Sequence, residues 1–445
     1  MADKATGGDE AAGTSSQESP APADATPPWD LYTGRQRALF LTILFLMATS
    51  NYIDRHILTV LLEPIKTEFQ VSDTLLGLLT GITFALFYAT LGIPIARMAD
   101  RGNRVTIISV CLALWSAMTA ACGLAQTFWQ LALARVGVAI GEAGALPPGQ
   151  SLIADYFPPH QRARAIAIFM ASGSVGYLVG VTAGSAIAAA YGWRAAFLVM
   201  GLPGVLLAIA TWLLLKEPRL RAGFKPPPDI GESFLETLRV LWRKPSFVWL
   251  TTAMVLYFMY AYGVMIFVVS FMVRVLGVPL GQAGTLFGAA GTVALIVGSI
   301  GGGYLIDRLG RKDLRWLAWA PAAVLAGALP LYLLAFLSSD VWVFIGLIGV
   351  AGLAINAGLP AFFSILHSVC GSARRAMAVA IVFFFANLIG LGLGPVITGA
   401  LSDLFTGWYG VEGLRYALLV MVFILLPAAV ASYAIAGRIR QDQAA

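Results

Sequence analysis

The chain has 445 residues, 59% of them hydrophobic and only 12% charged, with a mean hydropathy of +0.81, a balance that excludes a soluble domain and leaves an all-α polytopic membrane protein. A net charge of +6 and a pI near 9.3 would suit an acidic partner, but the cations crowd onto alternate loops, so basicity reports topology and no nucleic-acid partner is expected. One set of segments holds Arg97, Arg101, Arg104, Arg162, Arg164, the seven cations from Lys216 to Lys244, Arg308, Arg311, Lys312, Arg315, Arg374, Arg375, Arg438 and Arg440, against Lys66, Arg194, Arg274 and Arg415 on the other side.

In chain order, Met1 to Pro28 is rich in Ala, Pro, Ser, Thr and Asp without an apolar run or basic leader, and residues 1–35 are expected to form a disordered cytoplasmic tail. Apolar windows of roughly 18 to 25 residues then mark bilayer crossings. Twelve are expected, near Ala38 to Leu62, Leu75 to Arg97, Val105 to Ala125, Phe128 to Asp155, Ala163 to Tyr191, Ala195 to Leu215, Phe247 to Val273, Ala283 to Ile306, Leu314 to Leu337, Val341 to Val369, Ala376 to Leu404 and Leu414 to Ala436. They group into six-helix bundles at 36–216 and 247–437, joined by a linker at 217–246 and followed by a tail at 438–445. The cation asymmetry places both termini in the cytoplasm and suggests a bacterial inner membrane.

The first span carries Asn51, Tyr52, Asp54, Arg55 and His56 within an apolar run, and the fourth, read as one long helix from Leu131 to Asp155, carries Arg135 and Glu142. A charge at the bilayer centre costs about 2.5 to 3.5 kcal/mol, so charges found there usually face a protein-lined or wet cavity. Arg135 and Glu142 lie seven residues apart, on one helix face at levels roughly 10 Å apart. Asp54 and Arg135 lie at similar depth. Arg55 and Asp54 could instead form a self-compensating structural pair, and His56 is either a proton relay or a packing residue. The expected chemistry is a planar cation at Arg55 and Arg135 for an oxyanion, with Glu142 as proton carrier beside Arg135 and Asp54 coupled through Arg55. Ionised Glu142 is expected to pair with Arg135, and protonation to release that arginine for substrate.

The loop after span two, Ala96 to Arg104, and the loop after span eight, Gly303 to Lys312, share a pattern 207 residues apart, measured from Asp100 to Asp307. The second copy has Gly303, Asp307, Arg308, Gly310, Arg311 and Lys312 at every specified position of G-x-x-x-D-R-x-G-R-[RK]. The first has Ala96 and Asn103 in place of two glycines, Asn103 being suited to a left-handed turn. This pair resembles the loop signature of the major facilitator superfamily, which implies two pseudo-symmetric bundles around a central cavity. By that resemblance Asp100, Arg101 and Arg104, with Asp155, form a latch of the cytoplasmic side, mirrored by Gly303, Asp307, Arg308, Gly310 and Arg311. The alternative is that these loops only anchor topology through positive charge.

The run RVGVAIGEAG from Arg135 to Gly144, with NYIDR in span one, resembles the spinster branch, whose animal members export sphingosine-1-phosphate and lysophospholipids. That likeness covers most of residues 36 to 437 and implies a proton-linked or facilitated lipid transporter with its polar site at Asp54, Arg55, Arg135 and Glu142. Span five has Gly173, Gly176, Gly180 and Gly184, read as a close-packing stripe; a glycine-rich span five is also typical of antiporters, but the usual Pro is missing here. The linker has three consecutive prolines, then an amphipathic helix with Phe234, Leu235, Leu238, Leu241 and Trp242 on one side, expected to lie on the inner leaflet.

The second half has no Arg or Glu in the matching spans. It offers Tyr257, Tyr260, Tyr262, Asn356, Ser364, the phenylalanines 383 to 385 and Asn387; with Tyr52, the residues Tyr260, Asn356, Phe384 and Asn387 are the candidate substrate contacts. One charged wall opposite an oily one suits an amphiphile. A transporter of small organic anions and a non-transporting receptor or scaffold are the alternatives. Cys111, Cys122 and Cys370 lack metal-type spacing, and His367 near Cys370 has no catalytic elbow, so neither an enzyme nor a cofactor or metal is expected. The expected partners are a lipid-like small molecule, protons and membrane lipids, with the chain a monomer.

Overall fold

The computed structural model describes residues 27–221, 234–439 and 442; within its helices the side chains at 93, 100, 221, 234, 371–373, 375 and 376 lie outside that set. The expected tail over most of 1–35, the triple proline and the Asp100 side chain therefore fall outside the described residues. The first half comprises α1 (Gly34–Phe69), α2 (Asp73–Thr80), α3 (Ile82–Arg101), α4 (Arg104–Cys122), α5 (Phe128–Glu142), α6 (Leu146–Tyr156), α7 (Pro159–Tyr191) and α8 (Trp193–Leu214). Short helices α9 (Pro218–Arg221) and α10 (Phe234–Leu241) follow. The second half comprises α11 (Pro245–Met265), α12 (Val268–Arg274), α13 (Leu280–Gly310), α14 (Trp316–Leu337), α15 (Val341–Val369), α16 (Gly371–Phe385), a π-helical turn (Ala386–Leu391), α17 (Gly392–Tyr409), α18 (Gly413–Val422) and α19 (Leu425–Ile435).

Among the described residues, nine helical stretches are long and apolar enough to cross a membrane. The expected twelve spans add α1, which carries the polar run at 51–55, and the α5–α6 pair, and divide the stretch Met377–Ile435 in two. Leu133, Trp212 and Val430 are 72%, 61% and 64% exposed, a surface that only lipid can cover without cost. This is a multi-pass membrane protein.

Helix ends follow local chemistry. Thr33 and Gln36 form a reciprocal capping box at the start of α1, and Ser72 caps α2 through the Leu75 amide at 3.2 Å. The left-handed turn expected at Asn103 is absent: its φ is −83°, and its side chain accepts the Thr106 amide at 3.0 Å, so Asn103 is there as the cap of α4. Span four is not one helix. It breaks at 143–145, just after Glu142, because Pro147 and Pro148 in the first turn of α6 cannot donate the amides that would continue α5.

The halves meet through α7 against α13, α2 against α17, α1 against α12 and α3 against the π-helical turn. Glycine makes these approaches possible. A Cβ on Gly77 would lie 2.3 Å from the Pro395 carbonyl oxygen, and one on Gly284 2.2 Å from the Ser185 hydroxyl. The tight contacts between α7 and α13 run from Gly281 to Gly291, which faces Tyr177, all in the portion of each helix farthest from the chain termini, hereafter the distal side. Polar bonds seal that side. Arg274 of α12 pairs with Asp73 at 2.6 Å and with Glu63 at 2.8 Å, Lys66 pairs with Asp73 at 2.7 Å, and Ser402 donates to Asp73 at 2.6 Å. Asp403 of α17 accepts the first amides of α2, from Asp73 and Thr74, both at 2.8 Å.

Within the first half, Gly176, Gly180 and Gly184 pack directly on α1 at Tyr52, Ile53 and Ile57, the close approach read from their spacing. Along the linker helix α10 Leu241 is buried and Leu235 exposed, while Trp242, just past its end, is partly exposed with its ring 5.5 Å from that of Phe385.

Candidate functional site

Successive helical positions diverge by about 100°, so Asp54 and Arg55 leave α1 in different directions. Asp54 is fully buried, and its carboxyl faces Trp115 and Thr119 of α4. Neither of its oxygens has a hydrogen-bond partner among the described residues, and the Trp115 indole nitrogen and Thr119 hydroxyl are likewise unpartnered. Arg55 points toward the meeting of the halves, its side chain 14% exposed, and donates from Nη2 to Oε2 of Glu142 at 3.0 Å. Its guanidinium lies 4.9 Å from the Tyr88 ring centre and 5.2 Å from that of Phe84.

Arg135 is buried, donates from Nη1 to the backbone oxygen of Asp54 at 3.3 Å and sits 5.6 Å from the same Phe84 ring. Phe84 thus lies against both guanidinium groups. The expected common depth of Asp54 and Arg135 is present; the expected ion pair between Arg135 and Glu142 is not. Glu142 pairs with Arg55, because almost two helical turns separate it from Arg135 along their shared helix, whereas α1 brings Arg55 to its own level. Asp54 correspondingly does not pair with Arg55. The four charges sum to zero within one region, and Glu142, at the broken end of α5, keeps Oε1 unpartnered.

Tyr52 lies against Gly173 and Gly176 of α7 with its hydroxyl in electrostatic range of Arg55, Tyr88, Tyr262 and Glu142. Tyr260 lies elsewhere, fully buried inside the second half with its ring 5.2 Å from Tyr332. Tyr262 is the tyrosine of α11 that reaches the site, packing on the cluster of Phe84, Ala85, Ala139 and Leu391. Sequence reasoning named both and selected the wrong phase; two residues along a helix rotate a side chain by about 200°. Asn387 is held to the Phe383 carbonyl at 2.8 Å in the π-helical turn, Asn356 to the Gly352 carbonyl at 2.9 Å, and Phe384 packs on Phe385 at 5.5 Å. His56 stacks edge-on against Tyr177 at 4.9 Å, near the α7–α13 seam.

On the side of the chain termini, Arg104 is fully buried and pairs with Asp155 at 2.7 Å and with both carboxylate oxygens of Glu217, while Ser151 accepts from its Nη1 at 2.8 Å. Arg219 joins at 3.4 Å from Asp155. This network ties α4, α6 and the start of the linker together within one half. Glu217 was not foreseen; its signal was an acid two residues past the last apolar residue of span six, Leu215. Asp307, Arg308 and Arg311 of the second loop are exposed, Gly310 packs on Leu317, and Gly303 faces open space. Among the described residues no group of His, Cys, Asp and Glu is arranged to hold a metal ion.

A charged centre at the junction of two helical halves inside an apolar shell defines a membrane transporter. The model of the Major Facilitator Superfamily matches residues 44–335. An MFS-type efflux pump of Mycolicibacterium smegmatis is 33% identical over 90% of this chain and 92% of its own, and a probable L-galactonate transporter of Escherichia coli is 26% identical over 88% of each. The crystal structure of a bacterial homologue of the human lysosomal transporter Spinster, in an inward-facing and unoccupied conformation, superposes with a TM-score of 0.84 at 33% identity, covering 92% of this chain and 99% of that one. The chain belongs to the major facilitator superfamily, as a transporter of spinster type and not an enzyme.

Proposed function

We propose that this transporter moves an anionic amphiphile, of the lysophospholipid or sphingoid phosphate class, together with a proton by alternating access. The observation that carries the reading is the Arg55–Glu142 pair, a desolvated cation and acid where the halves meet, facing a second half that supplies aromatic and apolar surface. Arg55 and Arg135 hold the head group, with Tyr52, Asn356, Phe384 and Asn387 as further contacts. Ionised Glu142 occupies Arg55; protonated, it leaves that guanidinium to an oxyanion. Asp54, behind the pair, is the second proton site.

Arginines crowd the terminal side, which supports cytoplasmic termini in a bacterial inner membrane, and the closed distal side is then the outer one. The inward-facing homologue supports the same sense. A singly charged anion carried with one proton moves no net charge, so the pH gradient drives it, each pH unit across the membrane being worth about 1.4 kcal/mol, or roughly tenfold in substrate gradient.

The test compares binding of a phosphorylated lysolipid with its uncharged analogue in the purified protein. Arg55→Ala should weaken the phosphorylated ligand about tenfold or more while changing the uncharged one by less than about threefold. Equal losses would overturn the assignment. A second reading, a small organic anion held by the same arginines, is supported by the likeness to the probable L-galactonate transporter. A short carboxylate that displaces a bound reporter as well as the lysolipid does would favour it.

A further inference from the structure

Every charge in the site belongs to the first half, yet alternating access requires that occupancy be felt by the second. Tyr262 of α11 is placed for this. It packs on the same cluster as Tyr88, around Phe84, the two rings over which the Arg55 guanidinium sits. Its ring also lies 5.7 Å from Phe258 on its own helix. Its neighbour Gly263 is wedged against α17: a Cβ there would come within 3.0 Å of the Gly394 carbonyl oxygen and the Thr398 hydroxyl, and 2.8 Å of Met421. Beside Tyr262, then, α11 has no slack against α17, the helix whose Pro395 and Asp403 meet α2 at the distal seal.

On the Arg55 side there is a donor to spare. Nη2 is committed to Glu142, whereas Nε is buried and unpartnered among the described residues. A guanidinium carries five N–H donors in a fixed fork, so when Glu142 gives up Nη2 the whole plane reorients, and a hydroxyl beside it registers the change.

We propose that Tyr262 is a positioning residue that couples the state of the Arg55–Glu142 pair to the second half through α17. This rests on the reading of that pair as the proton and anion site. The phenol hydroxyl binds the reoriented guanidinium, and the rigid Gly263 contact converts that bond into a shift of α17 at the distal seal.

The test uses Tyr262→Phe, which keeps the ring and its packing, with Tyr260→Phe as control. Reconstituted Tyr262→Phe should bind a phosphorylated lysolipid within about twofold of wild type, with unchanged KM, while kcat falls about fivefold or more; Tyr260→Phe should leave both unchanged. Spin labels at Thr67→Cys and Gly407→Cys, both exposed on the distal side, report the seal directly, the native Cys111, Cys122 and Cys370 being buried. In wild type the lysolipid should broaden their separation; in Tyr262→Phe it should not. A wild-type ligand response in the variant overturns the proposal, as does a loss of binding in the same proportion as turnover, which would make Tyr262 a simple ligand contact. If wild type itself fails to bind the lysolipid, the substrate reading fails, and an acid pH step with the same labels decides on Tyr262 alone.

Discussion

Arg274 of α12 grips Asp73 of α2 through hydrogen bonds of 2.6 and 2.9 Å, joining the two halves at the distal side. The same guanidinium holds Glu63 of α1 at 2.8 and 3.2 Å, so one side chain of the second half binds two helices of the first. Asp73 is fully buried, and such pairs are costly to break from one side only. Whatever opens the distal side must replace these bonds.

Arg274→Ala should therefore shift the protein toward a distally open state. A loss of about 1.4 kcal/mol moves the population tenfold. Double electron–electron resonance between labels at Thr67 and Gly407 should show a new, longer distance. An unchanged distribution would mean that helix packing alone keeps the distal side shut.

Gly77→Val attacks that packing. The added side chain meets the Pro395 backbone at 2.3 Å, where nothing flexible can give way. The variant should fold within the first half, since Gly77 faces α17 and not its own bundle, but substrate counterflow should fall to a few percent. Normal counterflow would show that closure tolerates a wider gap between α2 and α17.

Glu217→Ala removes three hydrogen bonds of a fully buried arginine, those from its backbone amide, Nε and Nη2. An uncompensated buried charge costs about 3 to 5 kcal/mol, so thermal unfolding in detergent should move down by several degrees. Glu217→Gln, which keeps the shape and one acceptor, should recover part of the loss. Equal melting of wild type and Glu217→Ala would mean that Asp155 alone satisfies Arg104.

Much of this architecture was legible because hydrocarbon is an unforgiving solvent. Asp54, Arg55, Arg135 and Glu142 stood out as charges in apolar helices, and the structure brings them into one region. Their pairing was not legible, since spacing along one helix relates Arg135 to Glu142 but says nothing of where α1 places Arg55. The choice of Tyr260 over Tyr262 failed for want of helical phase in a segment apolar all round. Pro147 and Pro148 signal the break after Glu142, but the length of the apolar run favours one continuous span. The distal seal was missed because Arg274 and Asp73 sit at helix ends and Asp403 at the close of an apolar run, where charged residues are ordinary, and only tertiary structure joins positions more than 200 residues apart.

The most direct measurement of the central claim is proton uptake on ligand binding, read with a pH-sensitive dye in weakly buffered protein titrated with a phosphorylated lysolipid. Wild type should take up close to one proton per ligand bound near neutral pH, because the anion displaces Glu142 from Arg55, and Glu142→Gln should bind the ligand with no uptake. Equal uptake by wild type and Glu142→Gln, or none by wild type, would contradict the assignment of the Arg55–Glu142 pair as the coupled site.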